Sequence, residues 1–156
     1  MKSLRIFATA LIIILLPVIA MCQSNPKNPQ TASSVIDLIL KTTGAPLLSQ
    51  TVDVIKEGNP ETPVTGIVTS MFATMEVLKK AVEMNCNLLV VHEPLYYNHL
   101  DNTKQFQNDP VFIENQRFIK ENGLVIWRFH DHIHMMRPDG IGTGMIEKLG
   151  WKNNAT

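Results

Sequence analysis

All five histidines of this 156-residue chain fall between positions 92 and 134. His92 is followed by Glu93, and a denser group reads His130-Asp131-His132-Ile133-His134. Neutral imidazole and carboxylate are the side chains that hold zinc, iron, manganese or nickel. An isolated histidine carries no such meaning. Several that converge do, provided the fold brings positions 92 and 130 together. Within the second group the geometry has two solutions. An extended segment would put His130, His132 and His134 on one face, whereas a helical turn would pair His130 with His134.

The elements around these residues decide whether they meet. Ser33 or Ser34 can cap a helix running to about Thr42, stopped by Gly44 and Pro46. A short strand is expected at Thr51–Ile55, and a β-branched run at Val64–Thr69 reads as a second. Thr74 caps the next helix, whose apolar face is Met75, Leu78, Ala81 and Val82. Leu88–Val91 is a continuous apolar run, the mark of a parallel strand buried on both faces. Asp109-Pro110 opens a helix that Asn122-Gly123 closes, and Leu124–Phe129 is the third strong strand. A last helix bears Ile141, Met145, Ile146 and Leu149. This alternation predicts an α/β fold, a mostly parallel sheet with helices packed on it. His92 and His130 each follow a strand directly. If those strands are parallel neighbours, both histidines emerge at the carboxyl edge of the sheet, where ligands of open α/β sheets bind.

Three functional classes lose support from composition. Fourteen basic residues balance fourteen acidic ones, so no basic surface speaks for nucleic acid. Gly140, Gly142 and Gly144 lack the strand-to-helix placement of a dinucleotide fingerprint and read as a flexible helix start. Thr69 and Ser70 end a strand without a nucleophile elbow. Tyr96 and Tyr97 either line a pocket or pack the loop after His92, and His99 is assigned to that loop as an exposed residue.

Residues 1–22 have the layout of a secretory signal peptide. Lys2 and Arg5 precede the apolar run Ile6–Ile19, and small residues before polar Gln23 follow. The protein is expected to be exported, to the periplasm or the exterior, with a lipid anchor at Cys22 as the alternative. Cleavage would take two bases and no acid, leaving a net charge of −2, and would leave Cys86 without an intrachain partner. Cys86 then reads as a small buried hydrophobe. Residues 23–32 read as a polar linker, and residues 33–156 as the metal-binding α/β domain.

At Val90-Val91-His92-Glu93-Pro94-Leu95 the chain resembles the Nif-three-like dinuclear-metal proteins, often labelled GTP cyclohydrolase I type two homologues. The matching stretch is Gly66–Leu95, where the family has an apolar strand ending in His-His-Pro-Leu. A second family motif, a histidine and an aspartate four residues apart before a glycine-rich approach to a helix, falls on His130 to His134 and Gly140–Gly150. The resemblance covers roughly residues 33–151. It implies one or two divalent ions per site and a homo-oligomer. Two positions depart from the pattern: Glu93 replaces the second histidine of the pair, and His134 replaces the aspartate. Family members are longer and supply a further His-x-x-x-Glu from a C-terminal half. The chain is therefore expected to be the N-terminal part of a longer protein, with a shortened form and an open site as the alternative. The reading is a divalent-metal-dependent hydrolase of a small molecule, with His92, Glu93, His130 and His134 as metal ligands. Glu93 is alternatively the general base, and Asp131 and His132 are second-sphere groups that orient the ligands. The rival is a non-catalytic metal-binding or scaffold protein.

Overall fold

The computed structural model describes residues 29–153, so the expected signal segment lies outside the described residues. Its elements run α1 (Ala32–Thr43), β1 (Ile55–Glu57), β2 (Ile67–Ser70), α2 (Met75–Glu83), β3 (Leu88–Val91), a 3₁₀ turn at Lys104–Phe106, α3 (Pro110–Glu121), β4 (Val125–Arg128), α4 (Asp131–Met135) and α5 (Gly140–Lys148). The four strands form one sheet in the order β1-β4-β3-β2. β2, β3 and β4 are parallel, and β1 is an antiparallel edge strand paired with β4. The α/β fold with a mostly parallel sheet is thus present.

The central strands β3 and β4 are buried along their full length, which is why their sequences, Arg128 apart, are continuous apolar runs rather than alternating ones. Alternate side chains go to opposite faces. Leu89, Val91 and Ile126 pack with Leu78 and Ala81 of α2 and Ile119 of α3. Leu88, Val90, Val125, Trp127 and Phe129 pack with Ala32 and Ile36 of α1 and reach Ile133 of α4. Full burial of side chains of this size stabilises by about 1.5–3 kcal/mol each, so these two layers supply most of the force that holds β3 beside β4. The helix starts are fixed locally. Thr74 Oγ1 accepts the Val77 N–H, and Asp109 Oδ1 accepts those of Val111 and Phe112. Each such cap is worth about 1 kcal/mol.

Three local expectations are corrected. α1 is capped by Thr31, whose hydroxyl accepts the Ser34 N–H, rather than by Ser33 or Ser34. The cap lies two or three residues earlier because Gln30 and Thr31 are tied to the segment before β2, where Val64 N–H donates to the Gln30 carbonyl. The strand expected at Thr51–Ile55 begins only at Ile55, because the backbone and side chains of residues 51–53 are engaged with α4. β2 begins at Ile67, not Val64: Thr65 is bound instead to Asn85 and Asn87. Gly58, just after β1, has φ of 95°, and a Cβ there would stand 2.4 Å from the Leu124 carbonyl oxygen, so this close approach to the start of β4 requires glycine. Cys86 is a free thiol packed against the α2 side of the core, but it is half-buried rather than buried as expected, because it lies at the rim of that core just before β3.

Candidate metal centre

The parallel register pairs Val91 with Arg128, so His92 and Phe129 leave the sheet side by side and His130 follows one residue later. The ladder continues past the strand ends. The His92 N–H donates to the Ser70 carbonyl, and the Phe129 N–H donates to the Val91 carbonyl. The chain then turns into α4, a single short helix over Asp131–Met135. This settles the two geometries open to the second histidine group in favour of the helical one. His130 and His134, four residues apart, share a face, and His132 points to the opposite side.

The rings of His92 and His130 stack with centroids 4.5 Å apart. The ring of His134 stands edge-on to both, at 5.0 Å from each. One donor nitrogen from each of the three lies within 4.8 Å of the others. In every case Nδ1 is held by an oxygen. His92 Nδ1 is 3.2 Å from the Phe129 carbonyl, His130 Nδ1 is 3.0 Å from Asp131 Oδ1, and His134 Nδ1 is 2.7 Å from Asp139 Oδ2. An oxygen acceptor on Nδ1 selects the Nδ1–H tautomer and leaves the Nε2 lone pair for a metal. The donor set therefore fits a divalent ion: three imidazoles, each oriented by a fixed second partner. His92 titrates below the ordinary imidazole range. Burial is the main cause, His130 and His134 add to it, and the Phe129 carbonyl and Glu93 oppose it. A depressed value keeps the ring neutral and available to a cation.

The supporting carboxylates do double duty. Asp131 also accepts the Thr51 hydroxyl at 2.8 Å and the Val52 N–H at 3.0 Å. Burial pushes its pKa up, but these two bonds and the His130 contact outweigh it and hold the carboxyl at about 2. Asp139 Oδ1 caps α5 by accepting the Gly142 N–H at 2.7 Å, while its other oxygen orients His134. That cap and His134 hold Asp139 below the usual carboxylate range.

The remaining sequence candidates sit differently. Glu93 follows His92 in the chain, and its N–H donates to the Met71 carbonyl. Its carboxylate is not part of the three-donor group, although its charge acts on His92. Asp131 sits against the His130 ring, where a group orienting that imidazole is expected. His132 lies elsewhere: it is buried, and its Nδ1 is 2.7 Å from Asp53 Oδ2. His132 therefore anchors α4 rather than steering a ligand. His99 is exposed, as expected, but not remote, since its ring lies 5.6 Å from that of His130.

Sequence reasoning missed Asp53, Asp139 and Arg128. Asp53 Oδ1 accepts the N–H groups of His130 and Asp131 at 2.7 and 2.8 Å, and its Oδ2 accepts that of His132 at 2.8 Å. It is the cap of α4, supplied from a distant segment. Arg128 is fully buried, its Nε donating to the His92 carbonyl at 3.1 Å and its guanidinium to the His99 carbonyl. It ties the loop after β3 to β4. A charged residue inside an otherwise apolar strand was the available signal for Arg128, and Pro138-Asp139-Gly140 before the last helix was the signal for Asp139. Asp53 had none, because its partners lie 77 to 79 residues away.

The class this defines is an α/β protein with a three-histidine group at the carboxyl edge of a parallel sheet. The chain belongs to the Duf34/NIF3 (NGG1p interacting factor 3) family, whose model matches residues 51–155. It is similar to proteins described as GTP cyclohydrolase 1 type 2 homolog. The one from Clostridium acetobutylicum is 24% identical over 98 residues, which is 63% of this chain and 35% of the relative. One from Staphylococcus epidermidis is 25% identical over 96 residues, which is 62% of this chain and 25% of that one. The chain thus spans about a third or less of the length of these relatives. Among solved structures, a Bacillus cereus protein related to NIF3 superposes with a TM-score of 0.62 at 18% identity, over 79% of this chain and 34% of that one. Reduced HcgD from Methanocaldococcus jannaschii gives 0.57 at 19% identity, over 75% and 46%. At these identities the likeness is one of fold.

Proposed function

We propose that the chain holds a divalent metal ion on His92, His130 and His134 and contributes that centre to a metal-dependent hydrolase acting on a small molecule. The observation that carries this reading is the convergence of three imidazoles whose Nδ1 atoms are all occupied by oxygen acceptors. Three protein donors is the number that catalytic zinc sites use, with the next position left for water or substrate. When bound, such an ion supplies Lewis acidity and a water of lowered pKa. The chain's own residues do the rest. The Phe129 carbonyl, Asp131 and Asp139 fix the rings, and Asp53 and Arg128 fix the backbone that carries them. Glu93, beside His92, is the group proposed to take up a proton. The GTP cyclohydrolase label of the relatives names one hydrolytic chemistry that the reading would accommodate.

The test compares His134→Ala with His132→Ala, two residues apart on one short helix. Zinc titration of the chelator-stripped protein should show at least a tenfold loss of affinity in His134→Ala with little change in folding. His132→Ala should lose about 2–4 kcal/mol of stability, from the cavity and the lost bond between Nδ1 and Asp53, which keeps its three backbone donors, and bind zinc while folded. Zinc affinity in His134→Ala equal to that of the parent would refute the proposed centre.

A further inference from the structure

A fourth imidazole lies against the three-histidine group, and its hydrogen bonding runs the other way. The ring of His99 stands 5.6 Å from that of His130, edge to face, yet His99 is not one of the three donors. Its Nδ1 lies 3.3 Å from Arg128 Nη2. A guanidinium only donates, so Nδ1 accepts here and the ring proton sits on Nε2. The other three rings have an oxygen acceptor on Nδ1, which leaves Nε2 as a lone pair. His99 therefore offers an N–H where its neighbours offer a lone pair.

This placement is built into the fold. Arg128 is 0% exposed, and its guanidinium grips His99 twice, at the backbone carbonyl and at the ring. The loop around His99 is folded on its own polar groups. Asn98 Oδ1 accepts the N–H groups of Leu100 and Asn102, and Asp101, paired with Lys56 at 3.1 Å, accepts that of Tyr96. A clasp that only fastened the loop would be complete with the carbonyl. The second contact fixes the ring of an exposed residue, which gains little from packing. What it does fix is the tautomer and the direction of the other nitrogen.

We propose that His99 is a binding residue of the metal centre: its Nε2–H donates to an oxygen atom of the ligand in the open position of the ion, so that the site favours ligands bringing an anionic or carbonyl oxygen there. This rests on the metal-centre reading above. Three protein donors leave that position for water or substrate, and a protonated ring nitrogen cannot fill it as a fourth ligand. An N–H beside it instead gives an oxygen ligand a second partner, the role that fixed donors play wherever negative charge must be held.

The experiment has two arms. Long-range proton–nitrogen NMR of the isotope-labelled, metal-free chain at about pH 8, above the ordinary imidazole range, should find the proton of His99 on Nε2 and those of His92, His130 and His134 on Nδ1. Calorimetry then compares His99→Phe, which keeps a ring without the donor, with His99→Gln, whose amide N–H can stand near the place of Nε2. Zinc affinity should stay within about twofold of the parent in both, because His99 is not a ligand. Affinity of the zinc-loaded chain for acetohydroxamate should fall about fivefold to tenfold in His99→Phe, the loss of one hydrogen bond at an exposed site, and recover at least in part in His99→Gln. A His99 proton on Nδ1 would overturn the proposal. So would acetohydroxamate affinity untouched by His99→Phe, an equal loss in both variants, or a large loss of zinc, which would make His99 itself a ligand. Failure of the metal reading looks different: the parent would bind no zinc although its His99 proton sits on Nε2, and this proposal would fall with it.

Discussion

Asp53→Ala is the sharpest probe of how the centre is held. The Asp53 side chain has 0% exposure and accepts four hydrogen bonds, from the N–H groups of His130, Asp131 and His132 and from His132 Nδ1. A buried donor left without an acceptor costs about 1–3 kcal/mol. The four do not add in full, because His130 and Asp131 are only half-buried and their N–H groups can regain water. The buried His132 cannot, and its N–H and its ring donor each lose their acceptor at about 1–3 kcal/mol. The expected loss is therefore about 3–5 kcal/mol. At a urea slope of about 2 kcal/mol per molar, the unfolding midpoint should fall by about 2 M. Native domains hold about 5–15 kcal/mol, so the variant should stay folded in buffer but close to its limit. Asp53→Asn keeps one oxygen for His130 and Asp131 while facing His132 with a donor, and should fall between parent and alanine. Because α4 carries His130 and His134, zinc affinity of the folded alanine variant should drop by about tenfold or more. A midpoint shift below about 0.3 M in urea for Asp53→Ala would show that α4 is held by something else.

Two further expectations follow from the same contacts and from the N-terminal sequence. Asp131 is held at about 2 against an ordinary 3.8, so between those values the unfolded chain binds more protons than the folded one. Its contribution is present above about pH 4 and is lost as pH falls to about 2; Asp131→Asn should flatten that part of a stability-against-pH curve, and an unchanged acid limb would contradict the assigned bonds. Export is proposed from residues 1–22, and N-terminal sequencing of protein from the native host should find a start near Gln23, whereas an intact Met1 in soluble cytoplasmic protein would end that proposal.

The legible parts of this molecule are those governed by near neighbours in sequence. The apolar runs Leu88–Val91 and Leu124–Phe129 declare central parallel strands because both faces of such a strand are buried. Thr74 and Asp109-Pro110 declare helix starts because a cap acts on the two or three residues that follow it. From strands plus crossover, His92 and His130 could be placed at one sheet edge without any contact being known. The histidine group after β4 stopped short of that clarity. Its two geometries are equally compatible with the spacing, and the choice between them rests on a cap, Asp53, that sequence proximity does not supply.

The amino-acid sequence by itself determined the alternation of strands and helices, the direction of β2, β3 and β4, and the pool of imidazoles from which a site could be built. Only the tertiary structure decided which imidazoles share it. Asp53 arrives from 79 residues away to turn His132 inward, Asp139 reaches back from the cap of α5 to aim His134, and the Phe129 carbonyl just past β4 orients His92. The physical reason is that periodicity and capping act over a few residues of one segment. The tautomer and direction of a ligand are set by hydrogen bonds to whichever oxygen the packed chain brings alongside.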